Sequence, residues 1–252
     1  EISRLTAQTL PPFRPLGLRV MPADPSPSRA QDQQPAILQD IAAAALARYD
    51  LPPGCTAELL NLSENATYRI DAPDGQRWAL RIHREGYQPR PAIASELAWA
   101  MDLRRQGIAI TPNPVAGRDG ELIQTLSHPR LALPRHAVLF DWESGAEPGI
   151  GDDLAQSFRA LGETAARMHV HARQWQRPQW FTRHTWNFDT ALGDDRPHWG
   201  RWRDGVGMDR ESERLFARTV VLIGRRLAAY GMGPERFGLI HADLRLANLL
   251  ID

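Results

Sequence analysis

The chain has 252 residues, with 30 basic and 30 acidic side chains and no formal net charge, a length that suits one large domain or two lobes around a full core. Neutrality argues against a nucleic-acid binder, whose phosphate contacts call for a basic face, and the single cysteine, Cys55, excludes an intrachain disulfide. Every basic residue is arginine, which excludes a lysine-bearing phosphate loop, Schiff-base chemistry and a lysine nucleophile.

Residues 1–35 are rich in proline, serine, glutamine and arginine and carry no helical or strand period, which predicts a flexible arm. The chain lacks a basic-then-apolar leader and any apolar run of membrane-spanning length, so a cytoplasmic protein without a membrane partner is expected. Residues 36–49 read as an amphipathic helix with Ile37, Ile41, Ala45 and Tyr49 on one face, stopped by Pro52, Pro53 and Gly54. Strands are predicted over 56–62, 66–71 and 76–83, the last two joined by a turn through Asp74 and Gly75. A helix over 91–106 opens with Pro91 and closes at Gly107. Two more strands fit 121–126 and 135–141, after the turn at Asp119 and Gly120.

Beyond Trp142 the character changes. Residues 144–149 resemble a linker, and a long helix over 152–174 follows with Leu154, Phe158, Leu161, Ala165 and Met168 as its stripe. Residues 175–209 are polar and tryptophan-rich with little periodicity, and a further helix over 210–230 ends at Gly231. This order predicts an α+β, two-lobed architecture. Residues 1–35 are the arm, 36–141 a small antiparallel-sheet lobe with one helix, and 142–252 a mainly helical lobe. The crevice between lobes is the natural ligand site.

The chemistry concentrates near the C-terminus, in His241-x-Asp243-x-x-x-x-Asn248. Phosphoryl transfer asks for positioning and charge neutralisation rather than covalent help. A carboxylate at Asp243 suits orienting an acceptor hydroxyl and taking its proton, an amide oxygen at Asn248 suits a magnesium ion, and Arg245 suits offsetting the charge of the transferring phosphate. Three features upstream fit the same chemistry: a cation, Arg81, inside the third strand; Glu96 on the following helix; and a short polar turn through Ser63 and Asn65 that suits phosphate. Each also has a plainer reading, as a surface arginine, a solvated helix charge and an ordinary hairpin. His169 and His171 stand two apart on a helix and cannot chelate one ion, so core or capping roles fit them. The run from Pro197 to Arg203 is aromatic and basic, and both packing and acceptor contact stay open for it.

Taken together, Ser63 to Tyr68, Ala79 to Arg84, Glu96, Leu161, Gly162, Met168, His169 and the 241–248 motif resemble the aminoglycoside phosphotransferase family. That family also takes in homoserine kinase, choline kinase-like enzymes and a bacterial stress-response protein kinase; the resemblance runs over about residues 36–252. It implies a protein-kinase-like fold, with ATP and Mg2+ as cofactors and a small-molecule hydroxyl acceptor as partner. It further implies Asp243 as catalytic base beside His241 and Arg245, Asn248 as a magnesium ligand, and Arg81 as nucleotide-phosphate contact positioned by Glu96. Ser63 and Asn65 fall in the phosphate-covering turn. Phe140 and Trp142 fall in the interlobe hinge, residues 138–142, whose backbone would hydrogen-bond adenine.

Two departures stand out. The family pattern is usually His-Gly-Asp where this chain has Ala242, and the family places a second magnesium-binding aspartate a short way past Asn248, whereas the sequence ends at Asp252. The chain is therefore expected to be a fragment, with a naturally truncated relative as the alternative. Three functions fit: a kinase for an amino acid, amino alcohol or aminoglycoside-like acceptor; a protein serine/threonine kinase; and a non-catalytic nucleotide-binding protein.

Overall fold

A computed structural model describes residues 29–146, 154–195, 197–244 and 248–250. Its element order is α1 (Arg29–Leu46), β1 (Thr56–Leu62), β2 (Asn65–Asp71), β3 (Arg77–His83), α2 (Arg90–Arg105), β4 (Pro114–Val115), β5 (Gln124–Leu126), β6 (Arg135–Asp141), α3 (Leu154–Gln174), α4 (Phe188–Leu192) and α5 (Arg210–Tyr230). All six strands form one antiparallel sheet in the order β1-β2-β3-β6-β4, with β5 also on β6. The α+β architecture expected from the sequence is present.

Period-2 alternation decides which face each strand residue serves. Ala66, Tyr68 and Ile70 of β2, Leu80 and Ile82 of β3, and Ala137 and Leu139 of β6 point to one side, where they meet Ile37, Leu38, Ile41, Ala42 and Ala45 of α1. Val138 and Phe140 of β6 point to the other side, against Ile93 and Leu97 of α2. The sheet thus carries a helix on each face, α1 as well as α2. The α1 helix begins at Arg29 and contains Pro35, so helical structure reaches into the segment expected as an arm. It ends at Leu46, and a turn then delivers Tyr49 into the core, where its hydroxyl accepts the Leu139 N–H at 3.2 Å. Burial pushes the Tyr49 pKa up to about 12, the Leu139 hydrogen bond opposing and Asp119 reinforcing the shift.

Local chemistry explains the remaining boundaries. Gly75, at φ 87°, closes the β2–β3 hairpin, where Ala72 N–H donates to Gln76 O at 2.9 Å. Gly107, at φ 66°, ends α2, and Ile108 N–H returns to Leu103 O at 2.9 Å, a Schellman closure. Two strands differ from expectation by more than one residue. β5 is only Gln124–Leu126 rather than 121–126, because Glu121 is drawn into the preceding turn, its N–H donating to Asp119 and its carbonyl accepting from Gly117. β4 is two residues long and begins at a proline, too short for a periodic signal.

The second helical layer attaches through α2. Trp99 and Leu103 pack on Met168 and Ala172 of α3. His171 of α3 is buried and takes the core role expected of it: its Nδ1 accepts from Trp99 Nε1 at 3.3 Å, and its Nε2 meets Asp102 at 2.8 Å. The indole donor fixes the tautomer, leaving Nε2–H to donate to the carboxylate. No helix among the described residues is long and apolar enough to cross a membrane. Replacing Ile41, 1% exposed between α1 and the sheet, with alanine is expected to cost about 2–4 kcal/mol, read as a lowered midpoint in urea unfolding; an unchanged midpoint would show that α1 contributes nothing to the sheet core.

Candidate functional site

β3 turns Leu80 and Ile82 toward α1, and the same alternation turns Arg81 to the α2 face. There Arg81 Nη1 meets Glu96 Oε1 at 2.8 Å, and its guanidinium lies 5.3 Å from the centre of the Phe140 ring. Both charged side chains are about one-third exposed (33% and 35%), so solvent screens the pair; it matters more for where it holds Arg81 than for stability. The second carboxylate oxygen of Glu96 faces Arg183 Nη1 at 3.5 Å, and the same nitrogen donates to Ala92 O at 3.0 Å. Beside it, Thr182 N–H donates to the fully buried Ser95 hydroxyl at 2.8 Å, which donates on to Pro91 O at 2.8 Å.

Arg183, which joins Glu96 here, has no counterpart among the residues that the sequence singles out. It lies in the aperiodic segment after α3, where nothing in the spacing tells one arginine from another.

His241, Asp243 and Asn248 do come together. Asn248 Nδ2 donates to the Asp243 carboxylate at 2.7 Å and to the Asp243 carbonyl at 3.0 Å, while Asp243 N–H donates to His241 Nδ1 at 3.3 Å. Ala242 between them has φ 68°, the one non-glycine positive φ among the described residues. This left-handed turn is the local reason a glycine suits the position. Arg245, with Leu246 and Ala247, lies outside the described residues.

Electrostatics link the loop to the Glu96 group through His241. His241 is held below the ordinary imidazole range first by surrounding protein, although the residue as a whole is exposed; Asp243 and Glu96 oppose that shift, and Arg183 and Arg81 add to it. The imidazole thus senses both the Asp243 loop and the Arg81–Glu96–Arg183 group.

The polar turn expected to cover phosphate is compact: Ser63 N–H donates to Asn65 O at 3.0 Å, and Ser63 is exposed. Asn65 stands opposite His83 in the β2–β3 ladder, two residues along from Arg81. Asn65 Oδ1 and both His83 ring nitrogens are buried with no protein hydrogen-bond partner among the described residues. Burial lowers the His83 pKa to about 4; Arg81, His136 and Arg183 lower it further and Glu96 opposes them.

Phe140 and Trp142 part company. The Phe140 backbone is paired inside the sheet with Ala79 and Pro114, and Asp141 N–H is taken by Asn113 O at 2.9 Å. Phe140 therefore supports Arg81 through its ring, whereas Trp142 is exposed just past the end of the ladder. A separate open cavity of about 710 Å³ lies along α2, lined by Leu97, Met101, Leu122 and Trp180 among others, and includes none of the candidate site residues.

The donor set fits a metal bound largely through substrate oxygens. No group of three or more His, Cys, Asp or Glu gathers among the described residues. The amide nitrogen of Asn248 is committed twice to Asp243, which leaves its oxygen as the hard donor. Magnesium is commonly held in this way, by one or two protein oxygens together with phosphates and water.

A model of the phosphotransferase enzyme family matches residues 56–252. Among curated proteins no sequence matches. Of the solved structures, that of the microcompartment-associated aminopropanol kinase superposes with a TM-score of 0.76 at 42% identity, covering 84% of this chain and 64% of that one. The amicoumacin kinase hAmiN, in complex with AMP-PNP, Ca2+ and Ami, superposes with a TM-score of 0.68 at 18% identity, covering 89% of this chain and 64% of that one. At that identity the second likeness shows the fold alone. The chain spans a little under two thirds of the length of either structure.

Two outcomes test the local physics. Ala242→Gly is expected to raise stability by up to about 1 kcal/mol, since a Cβ in the left-handed region costs about that much and the added chain entropy of glycine offsets part of it. Differential scanning calorimetry reads it, and a lowered melting temperature would contradict the strained turn. For His83, the folded pKa of about 4 lies below the free value of 6.5, so the unfolded chain holds the proton more tightly. Its contribution is fully present above pH 6.5 and lost as pH falls through 4. His83→Gln should flatten the fall in urea-derived stability over that window by up to about 3 kcal/mol; parallel curves for parent and variant would refute the assignment.

Proposed function

The chain belongs to the phosphotransferase enzyme family, and on that premise we propose that it moves the γ-phosphate of ATP to the hydroxyl of a small amino alcohol. Two features carry the reading: the Arg81–Glu96 pair, at 2.8 Å, and a loop in which Asn248 holds the Asp243 carboxylate at 2.7 Å, whose His241 feels the charges of Glu96, Arg81 and Arg183. The first offers a cation for the nucleotide phosphates and the second a carboxylate for the acceptor. The 42% identity to an aminopropanol kinase supports an amino alcohol over the amino acids and aminoglycoside-like acceptors that the sequence equally allows.

In this reading residues 36–141 carry the nucleotide half and residues 142–252 the acceptor half, in a cytoplasmic protein. Arg81 binds the nucleotide phosphates, with Glu96 fixing its reach and Phe140 supporting its plane. Ser63 and Asn65 cover the phosphates, Trp142 lies at the adenine edge, and Arg245 offsets charge on the moving group. Asp243 accepts the proton of the acceptor hydroxyl as its oxygen bonds to the γ-phosphorus and the bond to the bridging oxygen of ADP breaks. Asn248 restrains the Asp243 carboxylate, so that one of its oxygens is oriented before the acceptor arrives. Asn248 Oδ1 would hold magnesium, which when bound neutralises phosphate charge. His241 braces the turn through the Asp243 N–H.

In the full-length protein, Asp243→Asn is expected to lower kcat by at least about a hundredfold, within the range for loss of a general base, while the KM for MgATP changes little. A coupled ADP-release assay with 1-amino-2-propanol, ethanolamine, amino acids and aminoglycosides reads both turnover and acceptor choice. Normal turnover in the variant would sink the mechanism. Preference for an acceptor without an amino alcohol unit would sink the substrate class.

A further inference from the structure

The segment between α3 and α5 is tied to α2 at the turn that carries Glu96. Thr182 N–H bonds Ser95, the residue before Glu96, and Arg183 bonds Ala92 O and faces Glu96 Oε2. His184 lies edge-on to His198 at 4.6 Å between ring centres and to Trp199 at 6.0 Å, and Trp199 meets Tyr87 at 6.2 Å. One stretch of the acceptor half is therefore fastened to the nucleotide half at two successive residues, Thr182 and Arg183, with the Trp199–Tyr87 ring contact beside them.

Glu96 has two carboxylate oxygens, and each faces a different arginine: Oε1 takes Arg81 at 2.8 Å and Oε2 faces Arg183 at 3.5 Å. A glutamate side chain on an exposed helix face has several rotamers of similar energy, and one ion pair about one-third exposed restrains it weakly. A second cation on the other oxygen fixes the carboxylate plane, and with it the point from which Arg81 reaches toward phosphate. Arg183 is itself held by Ala92 O, on the same face of α2 one turn before Glu96.

We propose that Arg183 is a positioning residue for phosphoryl transfer, sharing Glu96 with Arg81 so that the phosphate-binding guanidinium is set only while the 182–199 segment is docked on α2. The inference rests on the assignment of Arg81 as nucleotide-phosphate contact. It makes nucleotide affinity depend on a residue of the acceptor half that acts through Glu96, and by linkage couples the two substrates' affinities.

The test uses the full-length protein with Arg183→Met, which keeps the aliphatic stem, and Arg183→Lys, which returns a single cation to the site. Melting temperatures, KM for MgATP, KM for 1-amino-2-propanol and kcat are measured for each, together with the dissociation constant of MgATP with and without acceptor. Arg183→Met is expected to raise the KM for MgATP at least about fivefold, the low end of ordinary coupling between sites. The acceptor KM should stay within about twofold, and the parent's tightening of MgATP by acceptor should be lost. Arg183→Lys should recover a substantial part of both effects. A folded Arg183→Met with unchanged MgATP KM overturns the inference, as does a loss confined to the acceptor KM, which would make Arg183 a direct acceptor contact. A lowered melting temperature with unaltered kinetics also overturns it. Absence of ATP turnover in the parent overturns the functional reading and this inference together, whereas an active parent with an indifferent variant overturns this inference alone.

Discussion

Glu96 is the junction on which the site depends. Its carboxylate lies between Arg81, delivered by β3, and Arg183, delivered by the segment after α3. In a chain without lysine, both partners are guanidiniums. These groups are planar, always charged and less strongly hydrated than an ammonium, so they keep a defined orientation where a lysine would act as a mobile point charge. The arrangement is partly open to solvent, and its contribution to folding is small. Its consequence is directional: it sets where a positive charge points.

That junction is exact only because the elements behind it are rigid. β6 is buried on both faces, with α1 packed over Leu139 and α2 over Val138 and Phe140. Phe140 therefore presents a fixed ring beneath Arg81. α2 is held a second time by α3, through Trp99, Leu103 and the His171–Asp102 pair. Glu96 sits between these anchorages, on a helix with little freedom to roll.

The Asp243 loop solves a different problem. Its backbone reverses at Ala242 in the left-handed region, which turns Asp243 back toward His241 and brings Asn248 within reach of the carboxylate. The price of that turn is conformational strain at a residue with a Cβ. In return the carboxylate has an orienting donor before any ligand binds, which is the kind of preorganisation a phosphoryl-transfer site uses in place of covalent chemistry.

Much of this was legible in the sequence. The bounds read from the sequence for β1, for β6 and for the helix over Arg210–Tyr230, which ends at Gly231, match the structure, because short strand-forming runs and a glycine stop are local signals. The Asp243–Asn248 spacing is likewise local, since five residues of loop suffice to close the contact. By its own residues the chain also determined that any anion-binding cation would be arginine. The structure decided what depends on distant segments meeting: that α1 covers the second face of the sheet, that the Phe140 ring lies against Arg81, and that Arg183 joins Arg81 at Glu96. Arg183 stands 87 residues after Glu96, in a stretch with no period to read. Only packing brings them together, because a carboxylate half-withdrawn from water takes whichever cations the fold delivers, and no local pattern records which one that is.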